Sequence, residues 1–372
     1  MNKLNHTATI VVANVLLCLP LFLLSLSGCA AGQAQPAANP TAVVASVPTT
    51  GTREITDQAG RKVTVPRQVT KVFSTSPVGT IMVYTINPDK LLGWNYDLNP
   101  TERKYILPKY LSLPNLGGWY GKSTGNSEEI IRLHPDVIVS VGDIDPTSVS
   151  QSDQIQHQLN IPVVMIDSAL TRTDQAYDLL GDLIGETVQA GALAAYCRDT
   201  ITNVTEKAKL VPQDKRVRVY YAEGPKGLQT DPSGSNHTET LDLVGAINVA
   251  NIENKGGSGM SPVSLEQVIS WNPDVILSWD DERGGYYSGI LSDPDWSSIK
   301  AVRDKRVYRT PNTPFNWFDR PFSSNRILGV KWVANLLYPD IYKYDIRGEA
   351  KKFYSLFYHT DLTDQQVTEL LK

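Results

Sequence analysis

The chain has 372 residues, with 35 Lys and Arg against 39 Asp and Glu, 5 His and 3 Cys. That length admits two domains of ordinary size, and 41% apolar with 20% charged residues excludes disorder as the main state. A net charge of −4 argues against nucleic-acid binding, which needs a basic stripe; three cysteines with no CxxC pair exclude a disulfide framework and a zinc ribbon.

Lys3 is the only charge before Arg53, and residues 8–26 are apolar apart from interruptions such as Asn14 and Pro20. A charged start, an apolar middle and small residues after it predict a secretory leader. Leu26-Ser27-Gly28-Cys29 resembles the lipobox of bacterial lipoproteins. That resemblance implies cleavage before Cys29 and a lipid on its sulfur; a plain leader with an incidental cysteine is the alternative. Cleavage there leaves 372 − 28 = 344 residues, with Cys197 the one thiol not acylated. Cys197 is expected as a small buried residue on a helix. Residues 29–52 carry no charge and are rich in Ala, Pro, Thr and Gln. They predict a lipidated, disordered tether, so the working body begins near Arg53, outside the cytoplasmic membrane.

The body contains an internal repeat. Glu128-Glu129-Ile130-Ile131, three residues, then Pro135-Asp136-Val137-Ile138-Val139-Ser140 recurs as Glu266-Gln267-Val268-Ile269, three residues, then Pro273-Asp274-Val275-Ile276-Leu277-Ser278. The offset is 266 − 128 = 138 throughout, and it also brings Asp143 onto Asp281. Asn126 before Glu129 and Ser264 before Gln267 are helix-start signals. Each copy therefore reads as a short helix, a turn at Pro-Asp and a strand, 137–141 and 275–279. Both strands are continuously apolar or small, as expected when both faces are covered. Duplication of a lobe and two generic helix–strand units are the alternatives.

Further strands are predicted at 69–74 and 161–166 in a first lobe, and at 216–221 and 306–308 in a second. Between the lobes, residues 174–210 are helical in pattern, broken at Gly185-Glu186. Residues 186–210 predict a helix roughly 37 Å long at ~1.5 Å per residue. Leu193, Tyr196, Cys197, Ile201 and Val204 line one face of it. Ile346, Ala350, Phe353 and Phe357 share a face of a later helix, and Thr363 with Gln366 marks the start of another. The fold class is thus α/β: two lobes, each a mainly parallel sheet flanked by helices, joined by one long spine helix. The divisions are 1–28 leader, 29–52 tether, 53–173 first lobe, 174–211 linking helices and 212–372 second lobe with C-terminal helices.

Lipobox, tether, two lobes and a linking helix together resemble the substrate-binding lipoproteins of ABC importers for iron-siderophores, haem and vitamin B12. The two Glu-…-Pro-Asp copies carry most of the resemblance. It is extended by Ile55-Thr56-Asp57 through Gly60 to Pro66, and by Leu243-Val244-Gly245-Ala246-Ile247-Asn248-Val249-Ala250. The resemblance implies a delivery protein rather than an enzyme, with no cofactor of its own. It would be lipid-anchored on the outer face of the cytoplasmic membrane or in the periplasm. Its partners would be a small-molecule ligand, an ABC permease and the ATPase subunits that power it. It also implies that Glu128 and Glu266 pair with arginines of the permease. Stabilisation by the helix dipole is the competing account of both carboxylates.

Ligands of open α/β sheets bind beyond the carboxyl ends of strands. Side chains placed there are Trp94, Tyr96, Trp119, Tyr120, Tyr221, Glu223, Trp279, Arg283, Trp317 and Arg320. Flat side chains with polar tips suit an apolar ligand that bears polar groups. Arg283 and Arg320 suit an anionic siderophore or an oxyanion. The segment 231–239, with Asn236, is a loop placed to reach over the cleft, and its His237 is a candidate axial ligand to a haem or corrinoid metal. The expected ligand is a metal chelate: iron-siderophore, haem or corrinoid. The alternative is molybdate or tungstate, because some proteins resembling this family bind those oxyanions. A wide aromatic cleft would favour the chelate; a small Arg-centred pocket would favour the oxyanion. An exported hydrolase lacks a Gly-x-Ser-x-Gly elbow, and a free-metal site lacks converging histidines. A single stiff connection predicts modest lobe closure.

Overall fold

A computed structural model describes residues 50–254 and 259–372. The leader, Cys29 and almost all of the tether lie outside the described residues. Among the described residues no helix is long and apolar enough to cross a membrane.

The body opens with an antiparallel hairpin, β1 (Thr52–Thr56) and β2 (Lys62–Pro66). Asp57 closes its turn, accepting from Ala59 N and Arg61 N. Its other carboxylate oxygen accepts from Met165 N, which ties the hairpin to the first sheet.

That sheet has the order β3 (Val72–Ser74), β4 (Val137–Gly142), β5 (Val163–Asp167), all parallel. A bridge from Leu91 to Val72 extends it on the β3 side. The second lobe adds β6 (Arg218–Ala222), a two-residue ladder of β7 (Gln229–Thr230) with β9 (Ser261–Pro262), β8 (Ile247–Asn248), β10 (Val275–Ser278) and β11 (Val307–Arg309). Its parallel sheet runs β8-β6-β10-β11. Three of its strands match the first sheet, with the repeated strands β4 and β10 each between the lobe's first and last parallel strands, and β8 stands where the first sheet has only the Leu91 bridge.

The repeat extends to fine detail. Asn126 caps the helix Ser127–Leu133, and Ser264 caps Leu265–Trp271 in a reciprocal capping box. Both helices end on a left-handed residue at the aligned position, His134 (φ 51) and Asn272 (φ 43). Asp136 N donates to Lys71 O at 2.9 Å, and its carboxylate accepts from Lys71 N. Asp274 repeats both bonds with Arg218. Each Pro-Asp turn is thus fastened to the start of its lobe's first strand. Each helix therefore begins at the opposite end, where the strands finish.

The helix Thr173–Ile184 stops at Gly185 (φ 74), and the spine helix occupies Thr187–Ala208, slightly shorter than its pattern suggests. Leu193, Tyr196, Cys197 and Val204 are buried along it, whereas Ile201 is only partly covered. One apolar core runs from the first sheet through the spine to Val219, Val275 and Leu277 of the second. The C-terminal helices, Ile346–Tyr358 and Asp364–Leu370, follow the second lobe in the chain but return to the first in space. Tyr354 stacks edge-on against Tyr105, Phe357 against Tyr177, and Glu369 pairs with Lys104 at 2.8 Å. The lobes are therefore joined by more than the spine.

Candidate functional site

Strands β3, β4 and β5 point their carboxyl ends at those of β6, β10 and β11 across the junction of the lobes. On the second-lobe side β6 is followed by Glu223, which is fully buried. Arg320 Nε donates to Glu223 Oε1 at 3.0 Å, and its Nη2 donates to Asp231 Oδ2 at 2.7 Å. Asp319 Oδ2 lies 3.2 Å from the same Nε. Burial alone would lower the Arg320 pKa, but the three carboxylates outweigh it and raise it. Glu223 moves the other way from a normal ion-pair partner. Burial, and then the charge of Asp319, push its pKa up to about 9 against the pull of Arg320. Burial thus favours the neutral form of Glu223, whose Oε2 has no hydrogen-bond partner among the described residues.

Asp231, His237 and Asp319 carry ligand-type atoms within 4.8 Å of one another. Arg320 stands among them and supplies the positive charge that a cation would. His237 Nδ1 is held by Asp319 Oδ1 at 2.7 Å, and its ring lies edge-on to Phe322. His237 is thus a buried, oriented side chain rather than a solvated loop residue.

Arg283 is different. Its guanidinium lies 5.4 Å from the centroid of Trp279, its Nη1 donates to Asn312 Oδ1 at 2.6 Å, and its Nη2 donates to the carbonyl of Arg320. No carboxylate pairs with it among the described residues. Trp279 is buried beneath it and donates from Nε1 to Tyr221 Oη, whose own pKa burial raises well above normal. Across the junction, the positive charge of Arg283 acts on Tyr96 of the first lobe. Tyr96 Oη donates to Glu102, and Tyr120 Oη donates to Asn95 O at 3.0 Å. Asn95 is buried and bonded to Ser74 O and Gly117 O, so it fixes these loops on the ends of the strands.

Asn312, which accepts from Arg283, lines a cavity of about 350 Å³ to which Arg283 itself does not contribute. The cavity walls are Pro100, Thr101 and Lys104 of the first lobe, Asp280 and Glu282 after β10, residues 309–313 at the end of β11, and Glu369 and Leu370 of the last helix. The lining is mainly polar, and none of the aromatics expected at the cleft contributes to it.

The structure redistributes the expected site residues. Trp94 is a core residue whose Nε1 donates to Tyr110 O, and Trp317 is fully buried. Their loops turn inward over the sheets, so neither lines an open cleft. Tyr221, Glu223 and Trp279 form the buried floor beneath Arg283 and Arg320. Trp119 is half-buried, edge-on to Phe73. Asn236 is exposed, and its carbonyl accepts from Arg326. Sequence reasoning missed Arg326. This buried arginine donates to Asn236 O and to Glu239 Oε2 in the second lobe, and to Ser168 O, beyond β5, in the first. Glu239 Oε2 also accepts from Leu170 N at 3.1 Å, which completes a clasp across the lobes. No local motif announces Arg326, since its partners are 87 to 158 positions away.

Glu128 and Glu266 lie exposed in the first turns of the two repeat helices. The carboxyl of Glu266 is held below its usual range by its own backbone N–H and by Ser264. The Glu128 side chain has no hydrogen bond or ion pair among the described residues, whereas that of its neighbour Glu129 pairs with Arg132.

A family model described as a periplasmic binding protein matches residues 116–314. An ABC transporter solute-binding protein from Sulfurospirillum deleyianum superposes with a TM-score of 0.80 at 30% identity, over 86% of this chain and 98% of that one. The molybdate-binding protein MolA of Haemophilus influenzae is 29% identical over 83% of this chain and 91% of its own length. The molybdate-bound structure of MolA superposes with a TM-score of 0.67 at 25% identity, over 84% and 99% of the two chains. With its twin parallel sheets, spine helix and interlobe cavity, the chain belongs to the periplasmic binding protein family, the solute-binding components of ABC transporters.

Proposed function

We propose that this protein captures a small anionic ligand at Arg283, between the lobes, and delivers it to the permease of an ABC importer. The observation that carries the reading is a half-buried guanidinium with no carboxylate partner among the described residues, next to a polar interlobe cavity of about 350 Å³. A planar fork of donors suits an oxyanion, and partial burial strengthens the attraction. That volume is at the small end of ligand pockets, which span ~300–1,000 Å³. Among the ligand classes, a molybdate-type oxyanion therefore ranks first, and similarity to a molybdate-binding relative supports the order. Haem and corrinoids rank lower, because their wide apolar faces need aromatic walls and Trp94 and Trp317 are spent on the core. An anionic iron-siderophore is the second reading, favoured by the half-buried Tyr96, Trp119 and Tyr120 on the first lobe.

The lipobox at Cys29 supports tethering to the outer face of a membrane. Glu128 and Glu266, one at the rim of each lobe, are the contacts for the two halves of the permease. Calorimetric titration of the purified protein with molybdate, tungstate, a ferric siderophore and haem tests the ligand reading. Binding of molybdate or tungstate that weakens at least tenfold in Arg283→Ala is the expected result. Tight haem binding insensitive to Arg283→Ala would overturn it.

A further inference from the structure

The two repeat helices each have seven residues, Ser127–Leu133 and Leu265–Trp271. Aligned at the offset of 138, they are identical at two positions only: Glu128 with Glu266, and Ile131 with Ile269. All four side chains are exposed. Ile131 is 44% exposed and Ile269 38%, two of only six large apolar side chains so placed among the described residues. Isolated exposed apolar residues are ordinary on a protein surface. A matched pair is not, because nothing in the fold requires it. The buried position of each helix has diverged, Ile130 against Val268, and so have the paired and capping positions, Glu129 against Gln267 and Arg132 against Ser270. What stays the same is what faces outward. Residues three apart lie on one helical face, so each lobe presents a carboxylate and an isoleucine side by side.

We propose that Ile131 and Ile269 are the apolar half of the permease-docking surface: each inserts into an apolar socket beside the cation that pairs with Glu128 or Glu266. This rests on the docking reading above. It gives the permease a defined chemistry, two similar patches that each offer one guanidinium or ammonium next to a hydrophobic recess. A carboxylate in open solvent mainly steers and orients the encounter. The isoleucines supply affinity through burial and slow dissociation.

The test measures binding of the ligand-free and molybdate-treated protein to its permease–ATPase complex in lipid nanodiscs, with three variants in parallel. These are Ile131→Ser with Ile269→Ser, Glu128→Gln with Glu266→Gln, and Val188→Ser as an exposed apolar control away from both helices. Circular dichroism and thermal unfolding establish that each is folded; an Ile→Ala pair replaces the Ile→Ser pair if the latter unfolds. The isoleucine pair is expected to weaken binding about tenfold per side chain, mainly through faster dissociation. The glutamate pair should mainly slow association, and Val188→Ser should match the parent. Unchanged affinity in the isoleucine pair, with loss in the glutamate pair, would overturn this inference and leave the docking reading intact. Unchanged affinity in both would remove the docking reading itself. A concentration-dependent dimer of the free protein, abolished by the isoleucine substitutions, would assign the patch to self-association and overturn the proposal.

Discussion

Arg320 Nη2 lies 2.7 Å from Asp231 Oδ2 inside a ring of three carboxyl groups, and that contact decides what the second lobe can hold. An arginine already shared among Glu223, Asp231 and Asp319 has little left to offer an anion. Arg283, with a tryptophan face below it and an amide on one side, keeps its charge unspent. Two arginines that the sequence places in equivalent surroundings therefore take different tasks, one holding the lobe together and the other bonded to Asn312, a residue of the cavity wall.

Replacing Arg320 by Ala leaves buried carboxyl groups without their cation. Breaking a buried pair this way costs about 3–5 kcal/mol. Urea unfolding should report a loss of that order, and an unchanged midpoint would show that the cluster does not hold the lobe together.

Glu223 makes stability depend on pH. Its folded pKa, about 9, lies above the ordinary value of 4.5. Below about pH 4.5 both states hold the proton. Between that value and about 9 the unfolded chain has released it and the folded one has not, so stability falls as pH rises through the window. Glu223→Gln imitates the protonated form and should remove this slope. The stability of the Gln variant relative to the parent is thus expected to grow from pH 5 to pH 8.5. A constant difference would mean that Glu223 is ionised throughout.

Arg326 spans the lobes through Ser168 O and Glu239. Arg326→Met keeps much of the bulk and removes the donors. Losing charge-assisted hydrogen bonds of this kind costs roughly 1.5–3 kcal/mol each. Thermal unfolding should show the loss, and small-angle scattering of the unliganded variant should show a larger radius of gyration than the parent. Identical scattering curves would assign lobe spacing to the shared core alone.

Glu128→Ala combined with Glu266→Ala should leave ligand affinity within twofold of the parent and impair uptake in reconstituted vesicles. Both residues sit in the first turns of the repeat helices, and neither lines the interlobe cavity. Normal uptake by the double variant would reduce them to helix-dipole partners.

The repeat was legible in the sequence because it is local. A cap, one buried residue, a left-handed stop and a Pro-Asp turn all lie within a dozen positions, and each leaves its own residue type behind. The spine helix was legible through its apolar face and the glycine that precedes it. The site was legible only as a neighbourhood. Trp94 and Tyr96 follow the same strand end, yet one turns into the core and the other toward Arg283. That direction is set by Tyr110 and Glu102, not by their immediate neighbours. Arg320 meets Glu223 across 97 positions and Asp231 across 89, distances over which no spacing rule operates.

The carboxylates of Asp136 and Asp274 have a mechanical consequence. Each ties the trailing end of a repeat helix to the opening residues of its lobe's first parallel strand. A seven-residue helix on its own would fray under traction. Riveted in this way, a pull exerted on either rim is carried into a parallel sheet, and from there to the walls that grip the cargo.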